Sequence, residues 1–364
     1  MNPLRIAVIG AGHLGRIHAR LLNQVPNVQL VGVVDTLASA RASVAAEANT
    51  LALASLSDAP EKLDAVVIAT PTRTHRQVAL ECIDQGLHVF VEKPMALGVA
   101  EADEMNAAAE QANVTLQVGH VERFNPAIRA AAPHLTSPRL IESVRESGYT
   151  FRSTDIGVVH DLMIHDIDLA LWLTQSRVAE LSATGLTVVG PHEDLAHARL
   201  TMENGCVVVL KASRISQQPQ RACRVYAESG YADINFADGT TTVMRPGQML
   251  LERETAIQQA TPTERNRLRD EFFESVLPTV NVDVQPGNAI LQELEEFTNC
   301  IRTGERPSVC GAAGRHAVEV ADQIIQAIQR DAWDARDRVL AEQFQTGHAG
   351  HQDQASNSLH RKAG

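Results

Sequence analysis

One segment of the chain places a histidine and two carboxylates at helical spacing among apolar residues. Asp161, His165 and Asp168 stand at positions i, i+4 and i+7, so a helix would carry all three on one narrow face. Because the rest of the segment is apolar, this helix should be buried, and buried ionisable groups must pair or line a cavity. A histidine with a carboxylate one turn away suits a general base. The alternative is a core histidine that neighbouring carboxylates satisfy.

A lysine closes another apolar run, in Glu92-Lys93-Pro94. Strand ends of open α/β sheets face the ligand crevice, so the Lys93 side chain would point into it. There it could hydrogen-bond a cofactor ribose and a substrate hydroxyl and stabilise a developing alkoxide. We place Glu92 and Lys93 among the cofactor contacts. A lysine that is simply solvated at a strand end is the alternative.

The start of the chain predicts the cofactor. Gly10-Ala11-Gly12-His13-Leu14-Gly15 follows an apolar run at 6–9 and precedes a helix-like stretch at 16–25. The glycines allow a tight turn, close approach of a pyrophosphate and close helix packing, and the helix N-terminus attracts phosphates. Asp35 closes the next apolar run, where a carboxylate accepts ribose hydroxyls and repels a 2′-phosphate. We therefore predict that these residues bind NAD. An ordinary Gly-rich turn is the alternative.

A fourth strand candidate ends in Ala69-Thr70-Pro71-Thr72, with His75 close behind. Thr70, Pro71, Thr72 and His75 could line the dinucleotide at the carboxyl end of the sheet. The alternative is a strand-to-helix turn in which threonine caps and proline sets φ. Although two carboxylates and a histidine could also ligate a cation, nicotinamide hydride transfer needs no metal, and we predict none.

The segment 119–126 leaves the last strand of this series. We predict that Arg123, Asn125, Arg152 and Asp155 face the crevice between the two halves of the chain and bind substrate. An arginine fork suits a phosphate group. Salt bridges between the two halves are the alternative for the charged residues. Asn125 could also cap a helix that begins at Pro126.

The composition is that of an ordinary globular protein, with 44% hydrophobic and 21% charged residues in 364. A net charge of −12 argues against binding to nucleic acids or anionic membranes, although local arginines could still hold an anionic substrate. We find neither an apolar run of membrane-spanning length nor a signal peptide. The five cysteines form no C-x-x-C pair, as is typical of buried thiols in a reducing cytosol. We expect a cytoplasmic protein.

Strand and helix patterns alternate through residues 1–120, which predicts an N-terminal Rossmann domain, an α/β fold with a doubly wound parallel sheet. The strand candidates are 5–9, 28–34, 51–53, 65–69, 88–91 and 115–118. We expect residues 121–345 to form a second α/β domain for substrate binding and oligomerisation. The polar tail at 346–364 should be disordered.

The second half predicts an open, mostly antiparallel sheet with few covering helices. Its strand candidates are 140–145, 180–189, 196–202, 206–212, 221–227 and 241–244. Glu203-Asn204-Gly205 suits a hairpin with a type I′ turn. A long apolar helix is expected at 159–173. Two amphipathic helices, 289–302 and 315–330, should cover the joint between the domains.

Taken together, these motifs resemble the Gfo/Idh/MocA oxidoreductase family from Ile6 to about Arg330. The resemblance rests on the glycine turn, Asp35, the strand end at 69–71, Glu92-Lys93-Pro94, the segment 123–126 and the spacing of Asp161, His165 and Asp168. It implies that Lys93 and His165 are the catalytic pair, that Asp161 supports them and that the Lys93–Pro94 peptide is cis. It also implies homodimers or homotetramers formed through the open sheet.

Within this family, the segments 119–126 and 161–168 look more like the UDP-N-acetylglucosamine 3-dehydrogenase subgroup. Met163 departs from many family members, which carry glycine there. The subgroup implies a UDP-sugar substrate whose 3-hydroxyl becomes a ketone, often used next by an aminotransferase. Oxidation of a free polyol such as an inositol is one alternative. A non-catalytic dinucleotide sensor is another, although the presence of both Lys93 and His165 argues against it.

Overall fold

The structure is a computed structural model that describes residues 2–151, 155–251 and 260–330. Its first sheet has six parallel strands. They are β1 (Leu4–Ile9), β2 (Val28–Val34), β3 (Leu51–Leu53), β4 (Ala65–Ile68), β5 (His88–Glu92) and β6 (Leu116–Gly119). The order β3-β2-β1-β4-β5-β6 is that of a doubly wound dinucleotide-binding sheet, which confirms the predicted Rossmann architecture.

Four helices connect these strands and cover both faces of the sheet. They are α1 (His13–Leu22), α2 (Ala38–Ala48), α3 (His75–Asp84) and α4 (Val99–Ala112). Burial on both faces explains the continuous apolar sequence of β4, in which every residue is buried. Helix α1 begins earlier than predicted because the chain enters it directly from Gly12. The strand order reverses between β1 and β4, so the ligand crevice opens at their carboxyl ends.

The second sheet has eight strands. They are β7 (Pro138–Glu146), β8 (Val178–Leu186), β9 (Leu195–Met202), β10 (Val207–Ser213), β11 (Gln220–Ala227), β12 (Gly230–Asn235), β13 (Thr240–Met244) and β14 (Thr279–Asn281). Their order is β14-β13-β12-β11-β7-β10-β9-β8. All pairs are antiparallel except β7 with β10, which confirms the mostly antiparallel sheet. Strands β12, which begins with a glycine, and β14, which has only three residues, were not predicted from the sequence.

The hairpin between β9 and β10 forms, but its turn is not of the predicted type I′. That turn needs positive φ at both central residues, whereas here Gly205 (φ +84°) has it and Asn204 does not. The Met202 N–H donates to the Cys206 carbonyl, and the Gly205 N–H donates to the Met202 carbonyl. This is a three-residue loop that ends on a left-handed glycine. The Asn204 amide donates to the Thr174 carbonyl at 3.0 Å, so a tertiary contact accompanies the different turn.

Six further α-helices are described outside the connections of the first sheet. They are α5 (Pro126–Ala131), α6 (Ile164–Thr174), α7 (Gln248–Leu251), α8 (Pro262–Asp270), α9 (Ala289–Thr303) and α10 (Gly311–Arg330). Helix α9 covers the first sheet, where Leu294 and Phe297 share a core with Phe90. Helix α10 packs against α4, α6 and β8. The two C-terminal helices thus lie at the joint, as predicted.

The predicted helix at 159–173 consists of a π-helical turn, Val159–Met163, followed by α6. Helix α6 is buried almost all round, as its apolar sequence predicts. A π turn holds more residues per turn than an α-helix, so Asp161 and His165 do not stack as regular i, i+4 neighbours.

Three predictions lie partly or wholly outside the described residues. Arg152 and the tail at 346–364 belong to undescribed segments. The domain limits at residues 120 and 345 stay predictions. Among the helices that the structure describes, none is both long and apolar enough to cross a membrane.

Candidate active site

The turn between β1 and α1 has the geometry that a bound dinucleotide requires. Gly10 has a φ of +102°, and a Cβ there would lie 2.6 Å from the Ala69 carbonyl oxygen. A Cβ on Gly15 would overlap the Gly10 carbonyl, so α1 packs on β1 only without a side chain. Beside Gly12 the described residues leave open space within 4 Å. A pyrophosphate can approach the backbone through that opening.

The start of α1 and the end of β2 flank this opening. His13 is exposed and Leu14 half-buried at the N-terminus of α1, and Gly12 provides no side-chain cap for its N–H groups. The Asp35 carboxylate accepts the N–H groups of Ala11 at 2.7 Å and Leu37 at 2.8 Å. The carboxylate is therefore tied to the glycine turn itself. An open helix end beside a fixed acid fits NAD.

Thr70, Pro71 and Thr72 follow β4 beside the glycine turn, at the point where the strand order reverses. The predicted cofactor contact of His75 stays a prediction, and the structure gives this residue a structural role as well. Its buried ring nitrogens lie 2.9 Å from the Pro94 carbonyl and 2.8 Å from the Thr70 carbonyl. Burial lowers its pKa despite these two contacts. His75 therefore ties the end of β4 to the turn after β5, because both nitrogens already have protein partners.

Lys93 leaves β5 through a cis peptide bond to Pro94, as the family resemblance implies. Its Nζ donates to the main-chain carbonyl of Asp161 at 2.5 Å and lies 3.4 Å from the Asp161 carboxylate. No hydrogen bond joins Asp161 to His165 among the described residues. Asp161 therefore contacts the lysine of the predicted pair rather than the imidazole.

His165 lies in the first turn of α6, and its Nδ1 is buried with no hydrogen-bond partner in the described part of the chain. Desolvation, followed by the positive charges of Lys93 and Arg145, lowers its pKa well below the usual 6.5. The imidazole is consequently neutral at neutral pH. A general base must be in this form to accept a proton.

A second histidine lies near this pair and was missed by the sequence analysis. His120 follows β6 and is fully buried, and neither ring nitrogen has a partner among the residues described. Burial lowers its pKa, Asp168 opposes this, and Arg123 and Lys93 lower it further. Its position at the carboxyl end of a strand was the signal that could have identified it.

Arg123 is committed to protein partners rather than to a phosphate. Its guanidinium is buried and donates to the Asp168 carboxylate at 2.7 and 2.5 Å and to the Ser308 carbonyl at 2.9 Å. This pairing argues against the predicted phosphate contact, but it joins two residues of the second half and so is not the salt bridge between the halves that was the alternative. Both oxygens of the Asp168 carboxylate accept from this guanidinium.

Asn125 and a buried ion network support the same region. The Asn125 side chain caps α5, as predicted, and its amide donates one hydrogen bond to Glu122 at 3.0 Å. Its contact with substrate stays a prediction. Glu122 accepts from Arg145 at 2.7 Å, and Arg145 donates twice to Asp166, at 3.0 and 2.9 Å. This network, which local sequence patterns did not predict, ties β7 to the helix that carries His165.

The last predicted contacts have mixed outcomes. The Glu92 carboxylate is buried and lies 2.6 Å from the His18 ring in α1, and its predicted contact with the cofactor stays a prediction. Asp155 is exposed and 3.9 Å from Arg73, which lies in the turn after β4. Asp155 therefore lies near the segment 70–72, which is predicted to contact the cofactor.

The fold and the site define a class of protein. The glycine turn and Asp35 can hold a dinucleotide at the carboxyl ends of β1 and β2. The end of β5 brings Lys93 against Asp161, one turn before His165. A lysine cation and a neutral histidine beside a nicotinamide suit oxidation of an alcohol or the reverse reaction. The class is that of nicotinamide-dependent oxidoreductases.

The chain belongs to the Gfo/Idh/MocA oxidoreductase family. The model described as "Oxidoreductase family, NAD-binding Rossmann fold" matches residues 4–120, and that of the GFO/IDH/MocA C-terminal domain matches residues 127–233. These matches confirm the family and the NAD cofactor that the sequence predicts.

Known relatives include sugar and polyol dehydrogenases. A UDP-N-acetylglucosamine 3-dehydrogenase of Acidithiobacillus ferrooxidans is 35% identical over 90% of this chain and 98% of that enzyme. A scyllo-inositol 2-dehydrogenase (NAD(+)) of Bacillus subtilis is 26% identical over 85% of this chain and 89% of its own. A solved structure of the Acidithiobacillus enzyme has a TM-score of 0.78 at 33% identity, covering 91% of this chain and 99% of that one. A levoglucosan dehydrogenase in complex with NADH shares the fold, with a TM-score of 0.77 at 17% identity over 91% and 98% of the two chains.

Proposed function

We propose that this protein oxidises the 3-hydroxyl of a UDP-linked N-acetylhexosamine, such as UDP-N-acetylglucosamine, to a ketone. The contact between Lys93 and Asp161 carries the proposal, because it brings the end of β5 to the helix that bears His165. The choice of substrate rests on the 35% identity to the Acidithiobacillus UDP-N-acetylglucosamine 3-dehydrogenase over most of both chains.

The residues of the site divide the reaction between them. The glycine turn would hold the pyrophosphate of NAD and Asp35 its adenosine ribose. NAD supplies the hydride acceptor when bound. His165, which is neutral because its pKa is lowered, takes the hydroxyl proton. Lys93 stabilises the oxygen as negative charge develops on it. The alcohol loses one proton and one hydride and becomes the ketone.

The substrate diphosphate needs cations near the mouth of the crevice. We propose Arg152 for this role and keep Asp155 as a neighbouring contact. Arg221 is a further candidate, because it is exposed at the start of β11 and its charge contributes to lowering the pKa of His165. Arg123 is left out because Asp168 and the Ser308 carbonyl already hold it.

A substrate panel tests the proposal. The purified protein with NAD+ would be offered UDP-N-acetylglucosamine, UDP-N-acetylgalactosamine, UDP-glucose and free inositols, with NADH absorbance as the readout. We expect turnover of a UDP-N-acetylhexosamine, a 3-keto product by NMR and a loss of about 10²–10⁴ in rate for His165→Ala. Turnover of inositols alone would favour the second candidate, which the Bacillus relative supports. NAD binding without turnover of any alcohol would instead indicate a dinucleotide sensor.

We further propose a cytoplasmic homodimer or homotetramer that uses the second sheet. Apolar side chains exposed on β8 and β11 and just after β8 support this interface: Leu186, Val188, Val189 and Tyr226. Light scattering would measure the mass in solution. A keto-sugar product would suit an aminotransferase as the next enzyme, and a coupled assay with an amino donor would test that step.

A further inference from the structure

Three ionisable side chains meet on the face of the first sheet that α1 and α9 cover. They are His18 of α1, Glu92 of β5 and Glu293 of α9, and one nitrogen or oxygen atom of each lies within 4.8 Å of the others. His18 and Glu293 are fully buried, and Glu92 is 7% exposed. The Phe90 ring packs against His18 at a centroid distance of 5.3 Å. The cluster includes the residue that precedes Lys93, and apolar side chains surround it.

The Glu92 carboxylate connects this cluster to the backbone of the catalytic lysine. One oxygen lies 2.6 Å from His18 Nε2, and the other accepts the Lys93 N–H at 3.2 Å. Burial opposes ionisation of Glu92, but the hydrogen bond and charge of His18 and the charge of Lys93 hold its pKa below the usual value. Glu92 is therefore an acceptor, to which His18 Nε2–H donates. Helix α1 and Lys93 thus hold the same carboxylate.

The pKa of Glu293 is shifted in the opposite direction. Burial, followed by the negative charges of Glu92 and Glu296, raises its pKa well above the usual value. The ionisable groups that face it are His18 from α1, Glu92 from β5 and Glu296 from its own helix. Two carboxyl groups in one apolar site cannot both ionise, so Glu293 keeps its proton and can donate a hydrogen bond.

The acid at position 293 costs free energy that an apolar residue would not. Neither carboxyl oxygen has a hydrogen-bond partner among the described residues. A leucine of similar volume would avoid that desolvation. An unpartnered carboxyl group within 4.8 Å of the Glu92–His18 pair therefore calls for a role beyond packing.

A metal ion is a poor explanation of this cluster. A tetrahedral zinc ion, with bonds of about 2.0–2.2 Å, holds its ligand atoms roughly 3.3 Å apart. The His18–Glu92 contact of 2.6 Å is shorter than that and has the length of a strong hydrogen bond. The geometry favours shared protons over joint coordination.

We propose that His18 and Glu293 are positioning residues for Lys93. His18 donates to the Glu92 carboxylate, and Glu293, within 4.8 Å of this pair, holds a proton that it can donate to the same carboxylate. Together they restrain Glu92, and through it the backbone from which Lys93 reaches the reacting oxygen. The proposal rests on the proposed function in one respect, the role of Lys93 at that oxygen. Helix α1 also follows directly from the glycine turn proposed to bind the cofactor, and α9 belongs to the C-terminal half of the chain. The cluster therefore couples both elements to the geometry at Lys93.

Substitutions at Glu293 test this role with a matched control. Glu293→Leu removes the donor and keeps the volume, Glu293→Gln keeps a donor, and Glu295→Gln makes the same chemical change on the exposed face of α9. We expect Glu293→Leu to lower kcat by about tenfold, less than the loss of about 10² for a full 1 Å displacement. The KM for NAD+ should not rise. The Tm should not fall, because the apolar replacement removes a buried acid. Glu293→Gln should recover most of the lost kcat.

The outcomes separate positioning from packing. A wild-type kcat in Glu293→Leu, or equal losses of Tm and kcat in both Glu293 variants, would overturn the proposal. If Glu293→Leu does not fold, Glu293→Met provides the same loss of a donor with a more adaptable side chain. Infrared difference spectra of wild type against Glu293→Gln at pH 7 should show the C=O band of a protonated carboxylic acid. This band needs no substrate, so its absence would refute the inference even if the substrate panel fails.

Discussion

Replacement of Arg123 by methionine tests whether this arginine holds the structure or the substrate. Its guanidinium donates to Asp168 at 2.7 and 2.5 Å, and the two side chains are 9% and 1% exposed. Arg123→Met leaves the Asp168 carboxylate buried without its counter-charge. Loss of one partner of such a pair costs about 3–5 kcal/mol. At roughly 2 °C per kcal/mol for a long chain, the Tm should fall by about 6–10 °C.

Calorimetry and steady-state kinetics together measure the two possible effects. The double variant Arg123→Met/Asp168→Leu should recover most of the lost Tm, because it removes the stranded carboxylate. The KM for the UDP-sugar should stay near the wild-type value in every folded variant. An unchanged Tm combined with a KM raised about tenfold, the effect of roughly 1.4 kcal/mol of lost binding, would refute the structural role.

Four other substitutions and a pH profile probe the proposed site. Lys93→Met should lower kcat on the order of 10²–10³ while NAD binding, followed by fluorescence, stays within a few-fold of wild type; an unaffected kcat would remove Lys93 from the mechanism. Gly12→Ala should weaken NAD binding and leave the Tm unchanged, because a Cβ there enters only the open space proposed for the pyrophosphate. Gly15→Ala should weaken NAD binding and also lower the Tm, because its Cβ would force α1 away from β1. Asp35→Ser should raise kcat/KM for NADP relative to NAD by removing a repelling charge, and an unchanged ratio would contradict its role. Because desolvation lowers the pKa of His165 well below 6.5, its neutral form persists at pH 6.5; kcat/KM should therefore fall only at lower pH, and an acid limb centred at or above 6.5 would argue against this base.

The glycine turn and the strands around it were predictable from short stretches of sequence. The predicted limits of β2 and β3 agree with the structure to the residue. A continuous apolar run indicates a strand buried on both faces, and a glycine indicates a place where the backbone turns tightly or leaves no room for a side chain. Both properties depend on neighbouring residues in the sequence. The Asn125 cap was predictable for the same reason, since it acts within its own helix turn.

The partners of the charged side chains were not predictable in this way. Lys93 meets Asp161 across 68 residues, Arg123 meets Asp168 across 45, and His18 meets Glu92 across 74. Each pair depends on which helix packs against which strand end. The π-helical turn before α6 also changes the spacing on which the predicted pairing of Asp161 with His165 relied.

The sequence alone determined the kind of cofactor turn, the fold class and the two residues, Lys93 and His165, proposed for the chemistry. Backbone conformation, hydrophobic period and strand-end position set these features within a few residues. Only the tertiary structure decided that Asp161 contacts the lysine, that Arg123 is bound to Asp168, and that Glu293 lies buried behind the site. The physical reason is that desolvation and ion pairing depend on neighbours from other elements, which are assembled only when the chain packs.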